Sequence, residues 1–162
     1  MVGLLKIFFR QISLLVVKMV DISKREKRKF EVAKKAALES DFKTKVGCAV
    51  YLKGKLIATG HSTNKSHPMQ YEFNKYRHFD RDGKSCIDKA HAEMMALAKL
   101  QKLDIKMSDV TFYIVRICKS RPYAIAYPCA ACHRALIEAG VRDIRYTTNY
   151  GYAHEWIDYK EA

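Results

Sequence analysis

The sequence predicts an α/β fold with a mixed sheet of about five strands and helices on both faces. Apolar runs of strand length alternate with amphipathic helical segments along most of the 162 residues. Two of these runs are joined by Lys53-Gly54-Lys55, a turn that is typical of an antiparallel hairpin. Further along, the order strand, helix, strand with a short return implies a parallel pair with a right-handed crossover. A sheet that contains both kinds of pairing is mixed.

The first half of the chain is expected to supply a helix and the hairpin. The helix runs from about Ser23 to Ser40, and Ser23-Lys24-Arg25-Glu26 predicts a capping box at its start. Its inward stripe is made of Phe30, Ala33 and Ala37. The hairpin strands are Val46 to Leu52 and Leu56 to Gly60. A long polar and aromatic segment follows, from His61 to Lys89.

The second half of the chain alternates helix and strand. A helix begins near His91, and its apolar side is formed by Met94, Met95, Leu97, Ala98 and Leu100. The next elements are a strand from Val110 to Ile117, a helix from Cys129 to Ala139 and a strand from Val141 to Tyr146. Gly140 is placed to cap the second of these helices, because glycine adopts the left-handed conformation easily.

The composition limits the class of partner. The chain carries 30 Lys and Arg against 17 Asp and Glu, which gives a formal charge of +13 and a pI near 9.6. This balance favours a polyanionic partner or substrate, although a solvated face of the basic first helix explains part of it equally well. The five cysteines are irregularly spaced and do not form a disulfide framework, which predicts a reducing, intracellular and hence cytoplasmic setting.

Residues 1–20 are expected to be an apolar N-terminal extension, and residues 21–162 a single domain. The extension is interrupted by the basic residues Lys6, Arg10 and Lys18. Its longest uncharged run, Gln11 to Val17, is too short for a membrane span of about 20 residues, and no signal-type cleavage site follows. We interpret it as a docked helix, an interfacial membrane helix or a dispensable leader before a start at Met19.

Two short segments carry the chemistry: His91-Ala92-Glu93 and Pro128-Cys129-Ala130-Ala131-Cys132. The imidazole of His91 and the thiolates of Cys129 and Cys132 give three protein ligands for one Zn²⁺ per chain. The fourth tetrahedral position stays open, as in catalytic zinc sites, where the metal lowers the pKa of a coordinated water. Glu93 could move protons for that water without binding the metal. The helix dipole after Cys129 helps to keep both thiols ionised.

Each half of this pattern has a simpler explanation when it is taken alone. H-x-E is common, and C-x-x-C occurs in structural zinc sites and in redox pairs. No second C-x-x-C exists here to complete a structural site, and a redox pair would leave His91 and Glu93 without a role. The order of the two halves and the proline before the first cysteine therefore favour a catalytic site.

On these motifs, from about Ser23 to Thr148, the chain resembles the cytidine deaminase superfamily, in its CMP/dCMP-type group of phage and bacterial members. The resemblance implies a cytidine deaminase-like fold and zinc-dependent hydrolytic deamination of cytosine to uracil in a free nucleotide or nucleoside such as dCMP. It also implies that Asn64 contacts the sugar, and that the backbone at Ala92 holds the base carbonyl. His133 is an alternative ligand four residues after Cys129, but Cys132 fits the motif better.

The chain departs from individual branches of that superfamily. The G-Y-N-G turn of deoxycytidylate deaminases is replaced by Gly60-His61-Ser62-Thr63. The tRNA adenosine deaminases place their histidine soon after the asparagine, whereas Asn64 and His91 are far apart here. Ala126-Tyr127 stands where APOBEC-like enzymes have an S-W-S segment. The stretch from Gly140 to Tyr146 is similar to the deoxycytidylate and tRNA branch, which has a parallel final strand.

The insertion between Asn64 and His91 leaves the substrate class open. Its aromatic residues are Tyr71, Phe73, Tyr76 and Phe79, interleaved with Lys75, Arg77, His78 and Arg81. This composition suits single-stranded nucleic acid, and equally a helix whose aromatic face is buried against a neighbouring subunit of a homo-oligomer. The alternatives are thus a polynucleotide deaminase acting on single-stranded DNA or tRNA, and a non-catalytic zinc-bearing module that binds nucleic acid. The carboxylate of Glu93 argues against the last.

Overall fold

The computed structural model describes residues 21–77 and 88–158, so the predicted extension at residues 1–20 lies outside them. The strands are β1 (Val46–Leu52), β2 (Lys55–His61), β3 (Val110–Arg116), β4 (Asp143–Thr147) and β5 (Tyr152–Trp156). The helices are α1 (Lys24–Leu38), α2 (Pro68–Phe73), α3 (Ala92–Leu100) and α4 (Ala130–Ala139), with 3₁₀ turns at Asn74–Tyr76 and Met107–Asp109. None of the helices in these ranges is long and apolar enough to cross a membrane.

The five strands form one mixed sheet in the order β2-β1-β3-β4-β5, which confirms the predicted fold class. β1 pairs antiparallel with both β2 and β3, and β3 pairs parallel with β4. The predicted hairpin and the predicted parallel pair are therefore both confirmed. The turn at Lys53 and Gly54 has positive φ at both residues, as a tight hairpin requires.

The sheet does not end on a parallel strand, contrary to the comparison with the deoxycytidylate and tRNA branch. A further strand that the sequence analysis missed, β5, follows β4 and pairs antiparallel with it. Only a short turn around Gly151 joins the two strands, whereas a parallel return needs a crossover of a dozen or more residues.

Helices cover both faces of the sheet, as predicted. On one face, α1 buries Phe30 and Ala33 against Ala49, Tyr113 and their neighbours. On the other face, α3 and α4 pack on alternate residues of the same strands: Cys48, Val50, Phe112 and Ile114. Ser23 caps α1 by accepting a hydrogen bond from the backbone N–H of Glu26 (3.2 Å), and Gly140 ends α4 with φ 95°.

Two glycines bring helices unusually close to the sheet. A Cβ on Gly60 of β2 would lie 2.3 Å from the backbone oxygen of Ala92 in α3. A Cβ on Gly47 of β1 would lie 2.0 Å from the backbone oxygen of Ala33 in α1. No side chain fits at either position without a shift of the helix, so glycine sets the distance between helix and sheet on each face.

Candidate active site

The N-termini of two helices meet at one end of the sheet. His91 is the N-cap residue of α3, Cys129 is the N-cap residue of α4, and Cys132 lies in the first turn of α4. Nδ1 of His91 lies 3.4 Å from Sγ of Cys129 and 3.4 Å from Sγ of Cys132. In residues 21–77 and 88–158, this is the only group of three or more His, Cys and carboxylate side chains whose ligand atoms all lie within 4.8 Å of one another.

The donor set fits tetrahedral zinc. Zn–S bonds of about 2.3 Å and Zn–N bonds of about 2.0–2.1 Å at a tetrahedral angle place nitrogen and sulfur about 3.6 Å apart. The separations of 3.4 Å between Nδ1 and each sulfur are close to this value. Three convergent protein donors leave a fourth position for water, which is the pattern of catalytic zinc sites.

The site also favours a thiolate. A hydrogen bond from Cys132, opposed by burial and reinforced by His91, lowers the pKa of Cys129 to about 4. Burial raises the pKa of Cys132, while the charge of Arg77 lowers it. Burial also acts to lower the pKa of His91, but its hydrogen bond with Cys129 and the charge of Glu93 raise it overall. These shifts favour the thiolate form of Cys129 and the neutral thiol form of Cys132.

Glu93 is a buried carboxylate in the first turn of α3, only 5% exposed. Burial raises its pKa, the Cys129 thiolate raises it further, and the charge of His91 acts in the opposite direction. A raised pKa makes the ionised carboxylate a better proton acceptor, which is a property that a general base needs.

Four of the predicted site residues, His91, Ala92, Glu93 and Cys129, line a cavity of about 250 Å³. It is lined by Phe42, Thr44, Val46, Ser62, His91, Ala92, Glu93, Arg116, Ile125, Ala126, Tyr127 and Cys129. The cavity is smaller than the pockets of about 300–1,000 Å³ that enclose drug-sized ligands, and its size suits a single base. Two of the lining residues are hydrogen-bonded to each other: the hydroxyl of Ser62 donates to the backbone oxygen of Thr44 (2.8 Å).

Asn64, the predicted sugar contact, is exposed and does not line the cavity. Its side-chain amide donates to the backbone oxygen of Asp41 (2.8 Å), and its backbone N–H donates to Oδ1 of Asp41 (3.0 Å). His133 lies away from the ligand group and contacts Glu155, with 3.2 Å between Nε2 and Oε1. The role of Asn64 stays a prediction.

Two residues near the site escaped the sequence analysis. Arg116 ends β3 and lines the cavity, and among the described residues it takes part in no ion pair. Gln70, on α2, is fully buried and hydrogen-bonded to the backbone of His91. Arg116 is the one cation within the predicted strand from Val110 to Ile117, and this was a usable signal. Nothing local distinguishes Gln70 from the other polar residues of the insertion.

Comparison with known proteins identifies the family of the chain. The family model described as the cytidine and deoxycytidylate deaminase zinc-binding region matches residues 23–148. The chain belongs to the cytidine and deoxycytidylate deaminase family. It is therefore a zinc-dependent deaminase, a hydrolase, and zinc is its cofactor. No curated protein sequence matches the chain.

Solved structures of deaminases share the fold. The dCMP deaminase of cyanophage S-TIM5 in apo form is 19% identical with a TM-score of 0.55, over 79% of this chain and 86% of that one. The same phage enzyme in complex with dCMP and dUMP gives 19% and 0.53, over 78% and 83%. The cytidine deaminase of Burkholderia pseudomallei gives 17% and 0.55, over 83% and 93%. At identities of 17–19%, the likeness to these structures shows the fold alone.

Proposed function

We propose that this deaminase hydrolyses cytosine to uracil in a free nucleotide, a monophosphate such as dCMP. The observation that carries the proposal is the buried carboxylate of Glu93, which lines a base-sized cavity together with His91 and Cys129. In this proposal His91, Cys129 and Cys132 hold the metal, which when bound supplies Lewis-acid activation of water.

The protein's own groups divide the remaining work. Glu93 takes one proton from the attacking water and gives it to the adjacent ring nitrogen as the new carbon–oxygen bond forms. It then takes the proton of the resulting hydroxyl and gives it to the amine, so that the carbon–nitrogen bond breaks and water and cytosine yield uracil and ammonia. The backbone N–H of Ala92 belongs to the first turn of α3, where N–H groups have no partner within the helix. It can therefore donate to the carbonyl oxygen of the base. Tyr127 and Phe42 provide aromatic walls.

Arg116 supports a nucleotide over a nucleoside. Its guanidinium forms no ion pair with a carboxylate among the described residues. This includes Glu93, the acidic residue that lines the same cavity. Arginine presents paired N–H donors that match a phosphate. The solved phage enzyme with dCMP and dUMP shows that a fold of this kind accommodates a monophosphate.

Kinetics with paired substrates test this proposal. Arg116→Ala should lower kcat/KM for dCMP about 10–100-fold, mainly through KM, because a hydrogen bond to a charged group contributes about 1.5–3 kcal/mol. Turnover of deoxycytidine should be unchanged, and so should both substrates in the control variant Arg28→Ala, on the exposed side of α1. An equal loss for dCMP and deoxycytidine would contradict the role of Arg116.

A polynucleotide substrate is the rival proposal. The net charge of +13 supports it, and so does the insertion, where Tyr71 is 74% exposed and Lys75 lies over the ring of Tyr76. Phe73 instead packs against the core. Turnover of single-stranded DNA or tRNA without turnover of dCMP would replace our first choice. We also propose a cytoplasmic location, homo-oligomerisation and a deaminase domain at residues 21–162.

A further inference from the structure

Gln70 is a fully buried amide, 0% exposed, on the short helix α2 of the insertion. Its Oε1 accepts a hydrogen bond from the backbone N–H of His91 at 3.1 Å. Its Nε2 donates to Oδ1 of Asn74 at 2.9 Å. An amide is expensive to bury unless it is hydrogen-bonded, so this arrangement has a defined geometry with few alternatives.

The bond that Gln70 makes is normally made within a helix. The N–H of an N-cap residue has no partner in its own helix, and in a capping box a Glu or Gln at position N3 accepts from it. In α3 the N-cap is His91 and position N3 is Met94, which cannot accept. Glu93, one residue earlier, lines the cavity. Gln70 therefore supplies from another element the acceptor that α3 lacks.

Backbone hydrogen bonds join the start of the insertion to the residues just before His91. The N–H of Thr63 donates to the oxygen of Ala90 (3.1 Å), and the N–H of Ala90 donates to the oxygen of Lys65 (3.0 Å). A bridge between Ser66 and Lys89 continues this pairing. The segment that leads into α2 thus runs beside the segment that leads into α3, and this places Gln70 within reach of His91.

We infer, on the basis of the proposed zinc-ligand role of His91, that Gln70 is a positioning residue for the metal site. Its bond to the N–H of His91 fixes the backbone from which the imidazole projects toward Cys129 and Cys132. Partners that orient a metal ligand typically change metal affinity or activity about 10–100-fold when they are removed. The insertion then forms part of the metal centre as well as of the surface.

Metal binding measures this role without relying on turnover. Gln70→Met keeps the length and removes the acceptor, so zinc affinity in competition with a chromophoric chelator should fall about 10–100-fold. The visible spectrum of the Co²⁺-loaded protein should shift, because the imidazole changes its orientation. Gln70→Glu keeps the acceptor oxygen and should restore both readings toward wild type. Gln101→Met, at an exposed position at the end of α3, is the matched control and should change neither.

A purely structural role predicts a different pattern. Gln70→Met would then lower the unfolding midpoint of the metal-free protein, while zinc affinity and the Co²⁺ spectrum stayed at wild-type values, and that result would overturn the inference. If Gln70→Met does not fold, Gln70→Asn, whose amide is too short to reach His91, replaces it, and wild-type zinc affinity there would equally overturn the inference. Cys132→Ser tests the assignment of the zinc ligands separately from the role of Gln70. Full zinc binding in that variant would refute the ligand assignment.

Discussion

Glu93 is a carboxylate in a place where a charge is costly. It is buried at the start of α3, and desolvation favours its neutral form. The N-terminus of the helix and the charge of His91 favour the ionised form. The net effect is a raised pKa, which makes the ionised carboxylate a better proton acceptor, as a proton shuttle requires.

Replacing this carboxylate should separate metal binding from chemistry. Glu93→Ala and Glu93→Gln should retain zinc, since neither change touches a proposed ligand, and should lose at least about 10²–10⁴-fold in turnover. Metal analysis of the purified variants and release of ammonia from dCMP provide the two measurements. Glu72→Gln, an exposed carboxylate on α2, is the control. Turnover near the wild-type rate in Glu93→Gln would refute the assignment of the proton shuttle.

Some residues of the site could be predicted from the sequence and others could not, for a physical reason. His91, Cys129 and Cys132 could be named because the geometry of zinc imposes residue types and short spacings at the starts of helices. Gln70 acts through one hydrogen bond across 21 residues of chain, and no local pattern records such a bond. Arg116 acquires its significance from the cavity, which exists only after the sheet and both helices have packed.

At the scale of elements, the glycines Gly60 and Gly47 determine how closely α3 and α1 approach the sheet. The two glycines lie on neighbouring strands and face opposite sides. Because His91, a proposed zinc ligand, is the N-cap residue of α3, a displacement of this helix should disturb the site. A displacement of α1 should not.

Alanine at the two positions tests this difference. Gly60→Ala and Gly47→Ala should each lower the free energy of unfolding by about 1–3 kcal/mol, because an added methyl group overpacks a close contact. Zinc affinity should fall in Gly60→Ala and remain near the wild-type value in Gly47→Ala. Denaturant unfolding and chelator competition measure the two effects. Equal zinc affinity in both variants would show that the spacing of α3 is unimportant for the site.

Most elements were predicted because their patterns are strong. The helices α1, α3 and α4 have long apolar stripes or clear caps, and β1 and β3 are continuous apolar runs. A helix in the insertion was only one of two alternatives and had no bounds, although Pro68 occupies the first turn of α2 and the side chain of His67 caps it. A helix of 6 residues is too short to show a periodicity. The strand β5 was missed because Tyr152–Trp156 is a short edge strand in which only Ala153 is buried, and the polar pair His154 and Glu155 interrupts its apolar residues.

For the whole molecule, the net charge of +13 predicts a dependence on salt that differs between substrates. With dCMP, kcat/KM should decline only gradually with ionic strength, because screening acts on a single phosphate. A polynucleotide bound through several phosphates would lose about 10³–10⁵-fold in affinity between about 50 and 200 mM salt. Deoxycytidine, which is uncharged, is the reference. A steep decline together with turnover of single strands would favour the polynucleotide.

The separation of the proposed zinc donors along the chain has a consequence for the stability of the fold. His91 and Cys129 are 38 residues apart, and the segment between them contains α3 and β3. An ion held by both residues is a cross-link, and it restricts the unfolded chain much as a disulfide does. For a loop of this length, the chain-entropy description of a cross-link gives about 4 kcal/mol. With His91 and Cys129 as its proposed ligands, the metal should therefore stabilise the folded chain even in a variant that has no turnover.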